Sequence, residues 1–115
     1  PKGMVSLEGE ELYTNGDEAH MIRPGDFIVI ADGDSMIDCG IHDGDHCVIH
    51  QTPTVENGQI ALVAIDDGST IKKFYREKDG FRLVPCNPEY EEQHYPPDAQ
   101  IRVLGKFAKV IHPEE

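Results

Sequence analysis

The stretch Asn57-Gly58-Gln59-Ile60-Ala61-Leu62-Val63-Ala64-Ile65-Asp66-Asp67-Gly68-Ser69-Thr70-Ile71-Lys72-Lys73-Phe74-Tyr75 decides the fold. It opens on an Asn-Gly turn and runs through an unbroken apolar strand at 59–65. Asp66-Asp67-Gly68 then supplies a hairpin turn, and 69–75 returns as a second strand.

The same grammar repeats outward. Upstream, Arg23-Pro24-Gly25-Asp26 is a turn that feeds Phe27-Ile28-Val29-Ile30-Ala31, a β-branched strand. Asp32-Gly33-Asp34 breaks that strand. Ser35-Met36-Ile37-Asp38 predicts one helical turn, closed by Gly40. His42-Asp43-Gly44-Asp45 is a tight turn leading into a strand at 46–50. Downstream, Lys78-Asp79-Gly80 turns into 81–84, Pro85-Cys86-Asn87-Pro88 breaks the pattern, and Pro96-Pro97 marks a loop. The last β stretch spans 101–111, broken or bent near Gly105. Residues 1–26 are rich in Gly, Glu, Asp and Asn and read as an arm or loop. Short strands separated by turns every ~8–12 residues predict an all-β, compact barrel-like fold with at most short helical turns.

Composition narrows the function classes. At 115 residues, 38% of them apolar, the chain suits one domain with a real core. No apolar run approaches the ~18 residues of a membrane span, and no signal-peptide pattern opens the chain. It begins at Pro1 rather than Met, as an excised fragment would. Ten Lys/Arg against 22 Asp/Glu give a formal charge of −12. That field repels a phosphate backbone, so direct DNA binding by this piece is not expected. Cys39, Cys47 and Cys86 are odd in number and form no CxxC pair, so they read as three ordinary thiols in a reducing cytoplasm.

Two features bear on chemistry. A hydroxyl on a turn just after a strand, as in Gly33-Asp34-Ser35-Met36, is where a nucleophile sits; Ser after Asp is also a common helix N-cap. In 69–75, strand alternation puts Thr70, Lys72 and Phe74 on one face and Ile71, Lys73 and Tyr75 on the other. One lysine therefore faces the protein, where desolvation lowers its pKa, unless the strand is an edge with both lysines wet.

Taken in order, Gly33-Asp34-Ser35-Met36-Ile37-Asp38, Gly40-Ile41-His42-Asp43-Gly44-Asp45, Asn57-Gly58-Gln59-Ile60, Thr70-Ile71-Lys72-Lys73-Phe74 and Val84-Pro85-Cys86-Asn87-Pro88-Glu89-Tyr90 resemble the self-cleaving family of LexA-type repressors, phage repressors and UmuD-type mutagenesis proteins. The likeness runs from about Phe27 to Ile111 and keeps the 37-residue step from Ser35 to Lys72. It implies a LexA/signal-peptidase-type fold, with residues 1–26 an N-terminal arm holding the cleavage region and 27–115 a Ser-Lys peptidase and dimerisation domain. Ser35 stands at the family's nucleophile and Lys72 at its general base, with Gly33, Asp34 and Met36 supporting the turn and the oxyanion.

An unperturbed lysine is neutral in only about one molecule in two thousand at pH 7, so Lys72 needs burial and distance from carboxylates. Asp32, Asp34 and Asp38 are accordingly expected to face outward. The family cuts an Ala-Gly or Cys-Gly bond upstream of the nucleophile, and neither dipeptide precedes Ser35 here. The segment Gly3-Met4-Val5-Ser6-Leu7-Glu8-Gly9-Glu10 resembles the LexA cleavage region, with Glu8-Gly9 in place of Ala-Gly. A bond just before Pro1 is the alternative.

The resemblance further implies a homodimer, a RecA filament on single-stranded DNA as co-protease in the SOS response, and an N-terminal DNA-binding half outside this chain. A UmuD-type polymerase accessory and a non-cleaving dimerisation module are the competing readings, and a type I signal peptidase shares the Ser-Met and Lys logic. No cofactor and no metal are expected. His42, His46 and His50 with Asp43 and Asp45 invite a metal reading, but on a strand His46 and His50 are ~13 Å apart and cannot share an ion. Asp32-Gly33-Asp34 lacks a calcium loop's length and closing Glu. Pro113-Glu114-Glu115 reads as a solvated end.

Overall fold

The central strands carry apolar residues at consecutive positions because both of their faces are covered. In the computed structural model, which describes residues 5–8 (backbone only), 23–66 and 68–112, Leu62 points into one core cluster while Ala61 and Val63 point into another. Cys47 and Ile49 likewise join Val29, Ala31, Met36, Ile41, Leu62, Ile71 and Cys86, while Val48 packs with Ile28 and Ile111 behind them. A strand buried on both faces shows no polar alternation.

The strands are β1 (Val5–Glu8), β2 (Asp26–Ala31), β3 (His46–Gln51), β4 (Ile60–Ile65), β5 (Gly68–Glu77), β6 (Gly80–Val84), β7 (Gln93–Tyr95) and β8 (Ile101–Ile111). They form one antiparallel sheet in the order β1-β2-β3-β8-β4-β5-β6-β7. The sheet curls far enough that β1, at one edge, comes against β5. Among the described residues the only helix is a single 3-10 turn, Ile37–Cys39. The all-β, barrel-like expectation therefore holds.

The β4–β5 hairpin closes as its sequence requires. Ile65 pairs with Gly68, and Asp66 takes φ 53°, the left-handed conformation a two-residue hairpin loop demands; Asp67 lies outside the described residues. Gly40 ends the 3-10 turn at φ 88°, its N–H donating to the Ile37 carbonyl at 3.0 Å.

Three expectations change and one is narrowed. The arm at 1–26 contains a strand, β1, whose Val5 and Glu8 pair with Ala31 and Ile28; sheet pairing supplies the order that its weak periodicity did not signal. A short strand, β7, lies in the stretch read as loop between the two proline breaks, paired with Phe81–Leu83 of β6. Of the two alternatives for the long last strand, broken or bent near Gly105, the structure shows the bend. The strand bulges twice, so that Leu104 has no partner on β4 and Ala108 has none on β3. The three cysteines are not three thiols: Cys39 and Cys86 form a disulfide across 47 residues of sequence, and Cys47 alone is free and buried. Composition counts cysteines, whereas pairing depends on which loops the fold brings together. Pro113-Glu114-Glu115 lies outside the described residues.

Candidate functional site

Ser35 sits where β2 gives out. Gly33, at φ 101°, turns the chain, and its N–H donates to Asp43 Oδ1 at 2.8 Å, tying the turn to the loop before β3. Two backbone bonds reinforce that suture, Gly44 N–H to the Ala31 carbonyl at 2.8 Å and Ala31 N–H to the Asp45 carbonyl at 2.9 Å. Met36, 3% exposed, plugs into the main core cluster and anchors the turn from below. Ser35 is itself only 2% exposed. It is not the N-cap of the 3-10 turn: that position belongs to Met36, and no side chain caps it.

The Ser35 hydroxyl faces β5. Lys72 Nζ donates to Ser35 Oγ at 3.0 Å and to Thr70 Oγ1 at 2.7 Å. Thr70 and Lys72 are each 4% exposed. Strand alternation puts them on the same face, while Lys73 is only partly covered. The edge-strand alternative fails because β5 lies between β4 and β6.

Burial pushes the Lys72 amine down to about 8. The direction follows from taking a cation out of water with no anion beside it. Among the described residues no carboxylate forms an ion pair with Lys72, and Asp32, Asp34 and Asp38 are all exposed. At such a pKa about one lysine in ten is neutral at pH 7. A neutral amine 3.0 Å from a hydroxyl can accept its proton.

The turn is held from a third side by residues to which the sequence assigned no role. Cys86 N–H donates to the Ser35 carbonyl at 2.8 Å, and Asp38 N–H donates to the Cys86 carbonyl at 2.8 Å. Asn87 Nδ2 donates to the Asp34 carbonyl at 2.9 Å, while Asn87 Oδ1 accepts the Glu89 N–H at 2.9 Å. The Cys39–Cys86 disulfide closes the same junction. Thr70 was within reach of sequence reasoning, two residues from Lys72 on its face. Asn87 was not, because 53 residues separate it from its partner.

Ser35, Lys72, Gly33, Asp34 and Met36 thus converge. Gly33 has no N–H to spare for an oxyanion, because it is spent on Asp43. Asp34 contributes its carbonyl to the turn. Glu8 ends β1, and Gly9 lies outside the described residues. A depression of about 10 Å³ lined by Ala31, Asp32, Gly33, Ser35, Met36, Ile41 and Ile71 adjoins the hydroxyl, the room of roughly one water.

The histidines go elsewhere. His50 Nδ1 pairs with buried Asp26 at 2.8 Å, and His112 Nδ1 with buried Asp45 at 2.9 Å. No group of three or more His, Cys, Asp or Glu among the described residues is placed to hold a metal ion. No helix there is long and apolar enough to cross a membrane.

Comparison with known proteins identifies the family. The family model described as Peptidase S24-like matches residues 3–108. The chain is 37% identical over 102 residues to a LexA repressor of Oleidesulfovibrio alaskensis, covering 88% of this chain and 47% of that protein. It is 39% identical over 105 residues to a LexA repressor of Stenotrophomonas maltophilia, covering 91% and 50%. It is 42% identical over 100 residues to a LexA repressor of Desulfitobacterium hafniense, covering 85% and 45%. The chain spans about half the length of these relatives.

Proposed function

The chain belongs to the Peptidase S24-like family, and we propose that it is the self-cleaving, dimerising C-terminal part of a LexA-like repressor, with Ser35 as nucleophile and Lys72 as general base. One observation carries this reading: a buried lysine amine, with no carboxylate partner among the described residues, lies 3.0 Å from a buried serine hydroxyl.

Neutral Lys72 takes the Ser35 proton as Oγ attacks the scissile carbonyl, and the ammonium returns that proton to the leaving amine. Water then hydrolyses the acyl-enzyme, again deprotonated by Lys72. The oxyanion is met by backbone N–H groups of the turn at Ser35 and Met36, which Gly33 and Asp34 shape.

Residues 27–115 form the peptidase and dimerisation domain, and residues 1–26 the arm that brings in the cleavage region. Two positions compete for the cut, Glu8-Gly9 and a bond before Pro1. The second is preferred, since a glutamate beside the scissile bond would carry charge into an apolar pocket.

The repressor reading is supported by relatives named LexA repressor of about twice the matched length. In it, a DNA-binding half lies upstream, a RecA filament on single-stranded DNA promotes the cut in the SOS response, and the protein is a cytoplasmic homodimer. The formal charge of −12 suits a domain that leaves DNA contact to that other half. A UmuD-type accessory would instead carry only a short arm upstream.

Incubating the full-length protein at alkaline pH and following fragments by mass spectrometry tests the chemistry. Wild type is expected to cut itself once, upstream of Ser35, while Ser35→Ala and Lys72→Ala stay intact. No cut in wild type, or equal cutting in the variants, overturns the proposal.

A further inference from the structure

We propose that the Cys39–Cys86 disulfide is a thiol-exchangeable clamp on the nucleophile turn, opened by a cellular dithiol reductant with loss of reactivity at Ser35 and closed again by oxidation. The proposal rests on the reading of Ser35 as nucleophile.

The disulfide lies at the site rather than elsewhere in the fold. Cys39 ends the 3-10 turn that begins two residues after Ser35. Cys86 holds the Ser35 carbonyl through its own N–H and receives the Asp38 N–H on its own carbonyl. The covalent link therefore joins the two segments whose backbone bonds set the height of Ser35 against Lys72. Without the link, the hydrogen bonds that hold the segment after β6 to the turn among the described residues are these and that of the Asn87 side chain, beside the packing of Cys86 in the Met36 core cluster.

Access and selectivity both fit exchange. Cys39 is partly covered whereas Cys86 is only 8% exposed, so Cys39 is the more accessible side of the bond for an external thiolate. Attack there forms a mixed disulfide on Cys39 and expels the Cys86 thiolate; the reductant's second thiol then displaces Cys39. Two electrons and two protons pass from the dithiol to the cysteine pair, and the reductant leaves as its own disulfide. Cys47 cannot enter this exchange, since it is fully buried and burial holds its thiol up at about 12. The proposed setting, beside DNA in a reducing compartment, is one where disulfides are usually transient and regulatory.

The test uses the full-length protein, oxidised or reduced with dithiothreitol, with thiols counted after denaturation. The reduced form is expected to show two more thiols than the oxidised form, from the disulfide pair, while Cys47 counts in both. Self-cleavage at alkaline pH should fall about tenfold on reduction, as small misplacements of reacting groups do, and recover on reoxidation. The Cys39→Ser/Cys86→Ser double variant should match the reduced form and ignore dithiothreitol. Amide exchange at Cys86 and Asp38 should quicken on reduction while β3 and β4 stay protected. Equal thiol counts in the two forms, or a gain of two thiols on reduction with unchanged cleavage and exchange, overturns the clamp. Absence of cleavage in both forms overturns the Ser35–Lys72 reading, while the exchange measurement still decides the clamp.

Discussion

Lys72 Nζ lies closer to Thr70 Oγ1, at 2.7 Å, than to Ser35 Oγ, at 3.0 Å. The amine is thus oriented by its own strand before it meets the nucleophile. A hydrogen bond from an ammonium to a buried hydroxyl is worth about 1.5–3 kcal/mol. Thr70→Val keeps the shape and removes that acceptor. The charged amine loses more than the neutral one, so the midpoint of the self-cleavage pH profile should move down by roughly one unit. The alkaline plateau should also fall, because the amine is less well aimed. A rate-against-pH series on both proteins checks the two effects separately; an unmoved midpoint would refute the orienting role.

The lowered pKa also makes stability depend on pH, and Lys72→Met isolates that dependence. Lys72 falls from 10.5 to about 8 on folding, so between these values the unfolded chain binds more protons than the folded one. Stability contributed by this residue therefore rises with pH across about 8 to 10.5, and the full penalty for burying the charge is felt below 8. The shift corresponds to about 3 kcal/mol. In a Ser35→Ala background, which prevents self-cleavage, the stability advantage of Lys72→Met should shrink by about that much between pH 7 and pH 11. Urea unfolding at each pH measures it, and a constant difference would mean that Lys72 is not desolvated.

How far the sequence alone reached follows from how local each signal is. The β4–β5 hairpin and the opposite facing of Lys72 and Lys73 were legible because turn chemistry and strand alternation act within a few residues; that Lys72 is the buried one came from the family resemblance. The outward-facing Asp32, Asp34 and Asp38 followed from the needs of a neutral lysine. The Cys39–Cys86 link, the Asn87 tether and the β1–β2 pairing were not legible. Each joins segments whose separation carries no periodicity, and each depends on the whole sheet having curled. The double bulge of β8 lies between these cases: Gly105 flagged an irregularity, but its kind depends on the neighbours.

Gly105 offers a test of that irregularity. A Cβ there would collide with the Ile49 side chain and approach the His50 carbonyl to 2.7 Å. Both are parts of β3, against which β8 bulges, so neither yields without moving the sheet. Gly105→Ala should cost about 1–3 kcal/mol, the usual range for overpacking, seen as a lower urea midpoint with an unchanged slope. Ser35 and Lys72 lie on other strands and turns, so the pH midpoint of self-cleavage should stay in place.

Buried Asp45 should matter more to the fold than its exposed partner. Its Oδ2 accepts the His42 N–H at 2.8 Å and meets His112 Nδ1 at 2.9 Å. The carboxylate is 7% exposed and the His112 side chain 59%. Asp45→Ala leaves the His42 N–H without its acceptor and should cost about 1–3 kcal/mol. His112→Ala removes an exposed partner whose ion pair is worth at most about 1 kcal/mol. Thermal unfolding of the two variants ranks them; equal losses would mean that the ion pair, and not the His42 turn, is what Asp45 supports.

Asn87 separates holding the fold from holding the nucleophile. Its amide spans two partners, donating to the Asp34 carbonyl and accepting from the Glu89 N–H. Asn87→Asp keeps the acceptor for Glu89 and loses the donor, leaving a carboxylate oxygen facing the Asp34 carbonyl. The bond is solvent-exposed, so the cost in stability should be only about 1 kcal/mol. The cost in self-cleavage should be larger, about tenfold, because the Asp34 carbonyl belongs to the turn that aims Ser35 and small displacements of reacting groups are expensive. The new carboxylate favours the Lys72 ammonium, so any shift of the pH midpoint should be upward, and rates are compared on the alkaline plateau. Parallel urea unfolding and cleavage profiles distinguish the outcomes. A rate loss no greater than the stability loss explains would make Asn87 a loop staple and nothing more.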